Sequence, residues 1–60
     1  MPIVFLKSGG TVVCGGHTFK DGVAKLIDVK FEGTDVPEDK AKQPEAVVSL
    51  ANILYIIPGR

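Results

Sequence analysis

The side chains with chemical potential lie close together. Cys14, His17, Lys20, Asp21 and Lys25 fall in one short stretch. Cys14 and His17 are the only soft metal ligands in the chain, too few for a zinc site. No base, orienting acid or oxyanion donor pattern accompanies Cys14, so nothing equips it as a nucleophile. In an apolar strand it reads as a small buried hydrophobe. The pairs Gly9-Gly10 and Gly15-Gly16 lack the Gly-Lys-Ser/Thr ending of a phosphate loop, and no helix follows them. Asp35, Glu38 and Asp39 do not stand at calcium-loop spacing. The expectation is a non-enzymatic chain with no catalytic residues, no metal, no cofactor and no evident small-molecule substrate.

What remains is binding chemistry. Lys20, Asp21 and Lys25 surround a tight turn, and two readings stay open. One is contact with phosphates or bases, multiplied by repetition around an assembly. The other is an ordinary hairpin tip with lysines for solubility. His17 has the chemistry to stack on a base or to titrate near neutral pH, or to serve structurally beside a bulge. The formal net charge of zero argues against a strongly electrostatic nucleic-acid binder. The charges are nevertheless segregated. Between Glu32 and Glu45 five acids stand against two bases, and elsewhere five bases stand against two acids.

The elements that must position these residues are strands. Pro2 to Lys7 is β-branched and aromatic, and Ser8-Gly9-Gly10 turns it back. Thr11 to Cys14 is a second strand. Gly15-Gly16 marks a bend after which that strand continues through His17-Thr18-Phe19. Lys20-Asp21-Gly22 is a hairpin turn, since Asp-Gly between apolar segments suits the primed types. Val23 to Phe31 is the third strand, with Ile27, Val29 and Phe31 expected on one face and Asp28 and Lys30 on the other. Glu32 to Ala46 reads as a long acidic loop or an edge excursion, with room for a helical turn over Pro37 to Lys42. Val47 to Leu50 and Ile53 to Ile57 are the fourth and fifth strands, joined by a hairpin or a helical turn at Ala51-Asn52. The fold expected is all-β: a five-stranded SH3/Sm-like small barrel filling residues 1–60 as one domain, with the acidic loop between strands three and four.

At this point the residues resemble the Sm/LSm (Hfq-like) small-barrel family. Gly10, Gly15 and Asp21 stand at the spacings of its first motif, with Phe5, Leu6, Val12 and Phe19 around them. Val47, Val48, Asn52 and Ile53 fit its second, and the run Ala51 to Pro58 resembles the end of the barrel. The resemblance implies a small barrel, a symmetric ring-like homo-oligomer and RNA binding near His17, Lys20, Asp21, Lys25, Ser49 and Asn52. Ala24-Lys25 replace the family's Met-Asn, and Ser49-Leu50 its Arg-Gly. The implication is therefore stronger for fold and assembly than for the uridine pocket.

Size points the same way. A 60-residue chain leaves much of its surface wet, and its core alone is barely sufficient. One cysteine excludes an internal disulfide, which makes association the leading means of closing the gap, with a tightly folded monomer as the alternative. Ile53, Leu54, Tyr55, Ile56 and Ile57 carry more apolar surface than a small barrel can absorb, and are the expected oligomer interface. Phe31 and Tyr55 are read as core or interface residues. A protein-interaction or assembly module without nucleic acid, with the acidic loop as its contact, is the alternative function. No apolar run is long enough to span a membrane and no leader pattern is visible. A lone free thiol suits a reducing, cytoplasmic compartment.

Overall fold

Alternating and β-branched residues drive this chain into antiparallel pairing. The computed structural model describes residues 1–59. Six strands form among them: β1 (Ile3–Leu6), β2 (Thr11–Val13), β3 (Gly16–Lys20), β4 (Val23–Glu32), β5 (Lys42–Ser49) and β6 (Ile53–Ile57). Two 3-10 turns, Glu38–Lys40 and Leu50–Asn52, are the only helical segments among the described residues. Every strand pair is antiparallel. β6 pairs with β1, β1 with β2, and β2 and β3 both with one edge of β4, while β5 takes the other edge. The result is an all-β sheet curled into a half-barrel.

The six strands replace the five expected because the second strand is interrupted at its bend. β2 and β3 keep one register along β4, from Thr11↔Glu32 to Lys20↔Val23, with Cys14 and Gly15 unpaired between them. Gly15 donates its N–H to the Ile27 carbonyl at 2.8 Å instead. A Cβ on Gly15 would sit 3.3 Å from the Asp28 Cβ, so the two backbones meet closely here. Asp28 itself has φ +50°, a left-handed conformation that Asp tolerates better than most residues. On its other side the register sets Pro44 against it, between the pairs Ile27↔Glu45 and Val29↔Gln43. A crease therefore crosses three strands at Gly15, Asp28 and Pro44.

That crease corrects one expectation. Ile27, Val29 and Phe31 do not share a face. Ala24 and Leu26 are fully buried, Ile27 is exposed, and Val29 is buried again. The left-handed residue at 28 shifts the alternation by one position, so Leu26 takes the core place expected of Ile27. Strand periodicity assumes uniformly extended backbone, and one residue outside the β region reverses everything beyond it.

The loop is also shorter than expected. β5 begins at Lys42, so residues 42–46 belong to a strand and only residues 33–41 connect β4 to β5. Proline and charges in this stretch suggest loop by composition, but they are also what an edge strand carries. The exposed flank of ten-residue β4 supplies the backbone partners that draw them in. The connection is fastened to the β1–β2 turn by two glycines. Gly10 (φ +82°) lies so near Gly33 that a Cβ would meet the Gly33 carbonyl carbon and oxygen at 2.6 Å.

The core is Val4, Leu6, Val12, Cys14, Ala24, Leu26 and Val29, with Phe31, Ala46, Val48, Ile53 and Ile56 half-buried against it. Each fully buried Val or Leu contributes about 1.5–3 kcal/mol relative to exposure. No described helix is long and apolar enough to cross a membrane.

Candidate functional site

The β3–β4 hairpin and the second 3-10 turn build one end of the molecule. Lys20 pairs with Val23 across a two-residue loop. Asp21 (φ +52°) and Gly22 (φ +78°) give it the doubly left-handed shape of a type I′ turn, as Asp-Gly expects. Leu50 donates its N–H to the Gly22 carbonyl at 3.0 Å, which ties the 3-10 turn to the hairpin tip. Ser49 caps that turn, its Oγ accepting the Ala51 N–H at 3.2 Å, and lies opposite Val23 in the sheet. Lys20, Asp21 and Ser49 are thus brought together.

The other three residues of the expected RNA site are differently placed or already engaged. Lys25 points away from the core, on the face opposite buried Ala24 and Leu26, and its Nζ lies 3.1 Å from Glu45 Oε1. Both groups are exposed, so the pair adds little stability, yet it offsets the cation. His17 is directly opposite Leu26, and opposed residues share a face, so it lies on the other side of the sheet from Lys25. There its ring sits 5.2 Å from that of Phe19. Asn52 is occupied: its Oδ1 accepts the Ser8 N–H at 3.0 Å and its Nδ2 donates to Ser8 Oγ at 3.1 Å. Its backbone carbonyl also accepts the Lys7 N–H at 2.7 Å. Asn52 therefore holds the β1–β2 turn in place.

From sequence, Ser8, Phe19 and Asp35 stand out only as a turn, a motif and a loop residue, not as neighbours of the candidate site. Ser8 and Asn52 are far apart in sequence, and nothing local marks them as partners. Phe19 was visible as an aromatic residue next to a turn. Asp35 joins Ser8, Ser49 and Asn52 around a cleft of about 260 Å³ floored by Leu6 and Phe31. It brings a carboxylate beside Ser49 and Asn52. Burial pushes the Cys14 thiol above its ordinary value of 9.0, against smaller opposing pulls from the Gly16 backbone and the N-terminal ammonium. Among the described residues no group of three or more His, Cys, Asp or Glu is placed to hold a metal ion.

A second candidate surface is the open edge of β6. Leu54 and Tyr55 are each 57% exposed and Ile57 is 47% exposed. The direction of the β6 backbone follows from β1. Cys14 donates to the Pro2 carbonyl and Leu6 to the Gly10 carbonyl, so the even residues of β1 bond to β2. Ile3 and Phe5 must then bond to β6, where they pair with Ile57 and Tyr55. By alternation Ile56 turns its N–H and C=O groups to the open side; the register shifts beyond Tyr55, where Leu6 meets Ile53, so alternation does not extend to Leu54. Tyr55 packs its ring 4.9 Å from Phe5 on the face away from the core. The opposite edge differs in kind: β5 carries Lys42, Pro44 and Glu45, and Pro44 has no N–H to offer. No protein-family model matches this chain, and no curated protein or solved structure matches it significantly.

Proposed function

We propose that this chain is a non-enzymatic small-barrel module of the Sm-like or SH3-like kind whose role depends on assembling with copies of itself. The observation that carries this reading is β6: five apolar residues, no charge and no proline, with one edge unpaired. Soluble proteins blunt such edges with charge, proline, bulges or a covering element. The first half of β5 carries charge and proline; β6 carries neither, and its one irregularity is the register shift at Leu54. The strand path also supports a small barrel, since the last strand returns to the first. The free buried thiol suits a reducing, cytoplasmic setting. Leu54→Lys tests the reading by adding the missing charge at an exposed position. Self-association lost in Leu54→Lys, with the circular dichroism of the wild type kept, is the expected result. A wild type already monomeric at micromolar concentration would refute the proposal.

RNA binding at the hairpin end is a second reading, favoured by the convergence of Lys20, Asp21 and Ser49. Few cations are available there, and Lys25 is offset by Glu45. An assembly would have to supply affinity by repetition. Binding of uridine-rich or adenosine-rich oligonucleotides should then weaken steeply with salt and fall on Lys20→Ala. No binding at low salt rules it out. Charge reversal at Glu38 and Asp39 separately tests the loop as a contact for a basic partner.

A further inference from the structure

We infer that the hollow beside the β4–β5 ladder binds an aliphatic carboxylate, its head held between Lys30 and Lys42 and its tail on an apolar floor. Such a site works in a single chain as well as in an assembly. Lys30 stands directly opposite Lys42 in the sheet. Phe31 donates its N–H to the Ala41 carbonyl at 2.8 Å, so the neighbouring pair is the hydrogen-bonded one and Lys30–Lys42 is the non-hydrogen-bonded kind. Side chains stand closer in such pairs, and like charges directly opposite are destabilising. The Lys30 Nζ has Glu32 at 3.6 Å, with both groups exposed. The Lys42 ammonium has no ion pair or hydrogen bond among the described residues. An anion seated between the two ammonium groups relieves their repulsion.

The two lysines form a ridge between two hollows. Glu32 and Glu38 border the one of about 520 Å³ and repel an anion from it. The other, of about 560 Å³, has the size of a small-molecule site and is walled by Met1, Val13, Val29 and Pro44. Val13, Lys30 and Lys42 lie in one row across β2, β4 and β5, so ammonium groups and apolar surface adjoin. That combination suits an anionic head on an aliphatic tail. Two other polar side chains line this hollow, Gln43 and Asp28. Gln43 is engaged, its Nε2 donating to the Lys40 carbonyl at 3.0 Å. Asp28 stands at the crease, two residues along β4 from Lys30, which is roughly 6–7 Å at strand rise. Its charge repels a carboxylate from that end and so sets the head at the lysines.

The test titrates octanoate into the wild-type protein and follows backbone amide shifts by heteronuclear NMR. A saturable response at Val13 and Val29 is expected, with weaker binding of octanol, which keeps the tail without the charge. Lys42→Gln, at an exposed position, should weaken octanoate about fivefold, the upper end for one exposed ion pair. Asp28→Asn keeps a residue that tolerates left-handed backbone and should bind octanoate more tightly. Lys20→Gln, at the hairpin tip, should leave the affinity unchanged. Absence of a saturable response, or shifts that avoid Val13 and Val29, would overturn the proposal. Equal affinity for octanoate and octanol, or an affinity unmoved by Lys42→Gln, would overturn the role of the lysines. Association with phosphatidylglycerol vesicles without a response to octanoate would assign the lysines to a membrane surface and likewise overturn it.

Discussion

The contact between Gly10 and Gly33 sets the position of the acidic connection, and alanine substitution measures it. Gly10 has φ +82° and Gly22 has φ +78°, so alanine meets nearly the same backbone strain at both. They differ in their surroundings. A Cβ at Gly22 has nothing within 4 Å, whereas at Gly10 it meets Gly33 C and O and Thr34 Cγ2, each at 2.6 Å. Left-handed strain costs about 1–2 kcal/mol, and stiffening the unfolded chain returns about 0.4–1 kcal/mol. Gly22→Ala should therefore lose no more than about 1.6 kcal/mol. Gly10→Ala adds the cost of forcing two backbones apart, about 1–3 kcal/mol by analogy with overpacking. A domain of this length has about 3–9 kcal/mol in all, so the second loss is a large share of it. Urea unfolding followed by circular dichroism reads the difference, which at a slope of about 1 kcal/mol per molar separates the midpoints by about 1–3 M. Equal midpoints for the two variants would refute the close approach.

Three further outcomes follow from named contacts. Asn52→Ala removes both side-chain bonds to Ser8 and should cost about 1–2 kcal/mol, measurable by the same unfolding. Asn52→Asp, which keeps the acceptor for the Ser8 N–H, should cost less. Cys14 gives a pH dependence. Its folded pKa lies above 9.0, so the stability it contributes is fully present below pH 9.0 and is lost as pH rises toward the folded value. The unfolding midpoint of the wild type should thus fall between pH 8 and pH 10 more than that of Cys14→Ala, and parallel curves would contradict the assignment. Lys25→Ala should change stability by less than about 1 kcal/mol, because its partner Glu45 is solvent-exposed. A larger loss in thermal unfolding would mean that Lys25 has a buried role.

Much of the fold was legible because local chemistry and global structure agree. Asp21-Gly22 specified the hairpin, Gly15-Gly16 marked the bend, and Ala51-Asn52 sat at a helical turn between the last two strands. Two features were hidden. The reversal of faces within β4 depends on the single left-handed residue Asp28, and an aspartate between Ile27 and Val29 reads as ordinary alternation. The first half of β5 was masked by Pro44 and its charges, which suit a loop and an edge strand equally. At the hairpin end Lys20 and Asp21 adjoin in sequence, while Ser49 reaches them only through the pairing of β5 with β4. Which way a side chain points was not legible. His17 and Lys25 lie on opposite faces, and the amide of Asn52 is committed to Ser8, a residue it meets only through the pairing of β6 with β1. The apolar run from Ile53 to Ile57, by contrast, was plain from composition, and Leu54, Tyr55 and Ile57 are indeed exposed.

The most direct measurement is the mass of the wild-type protein in solution by sedimentation equilibrium over a micromolar concentration series. Self-assembly predicts a mass above one chain, falling toward one on dilution, with the higher mass abolished by Leu54→Lys. A single-chain mass throughout, with native circular dichroism, would contradict assembly as the role of this edge.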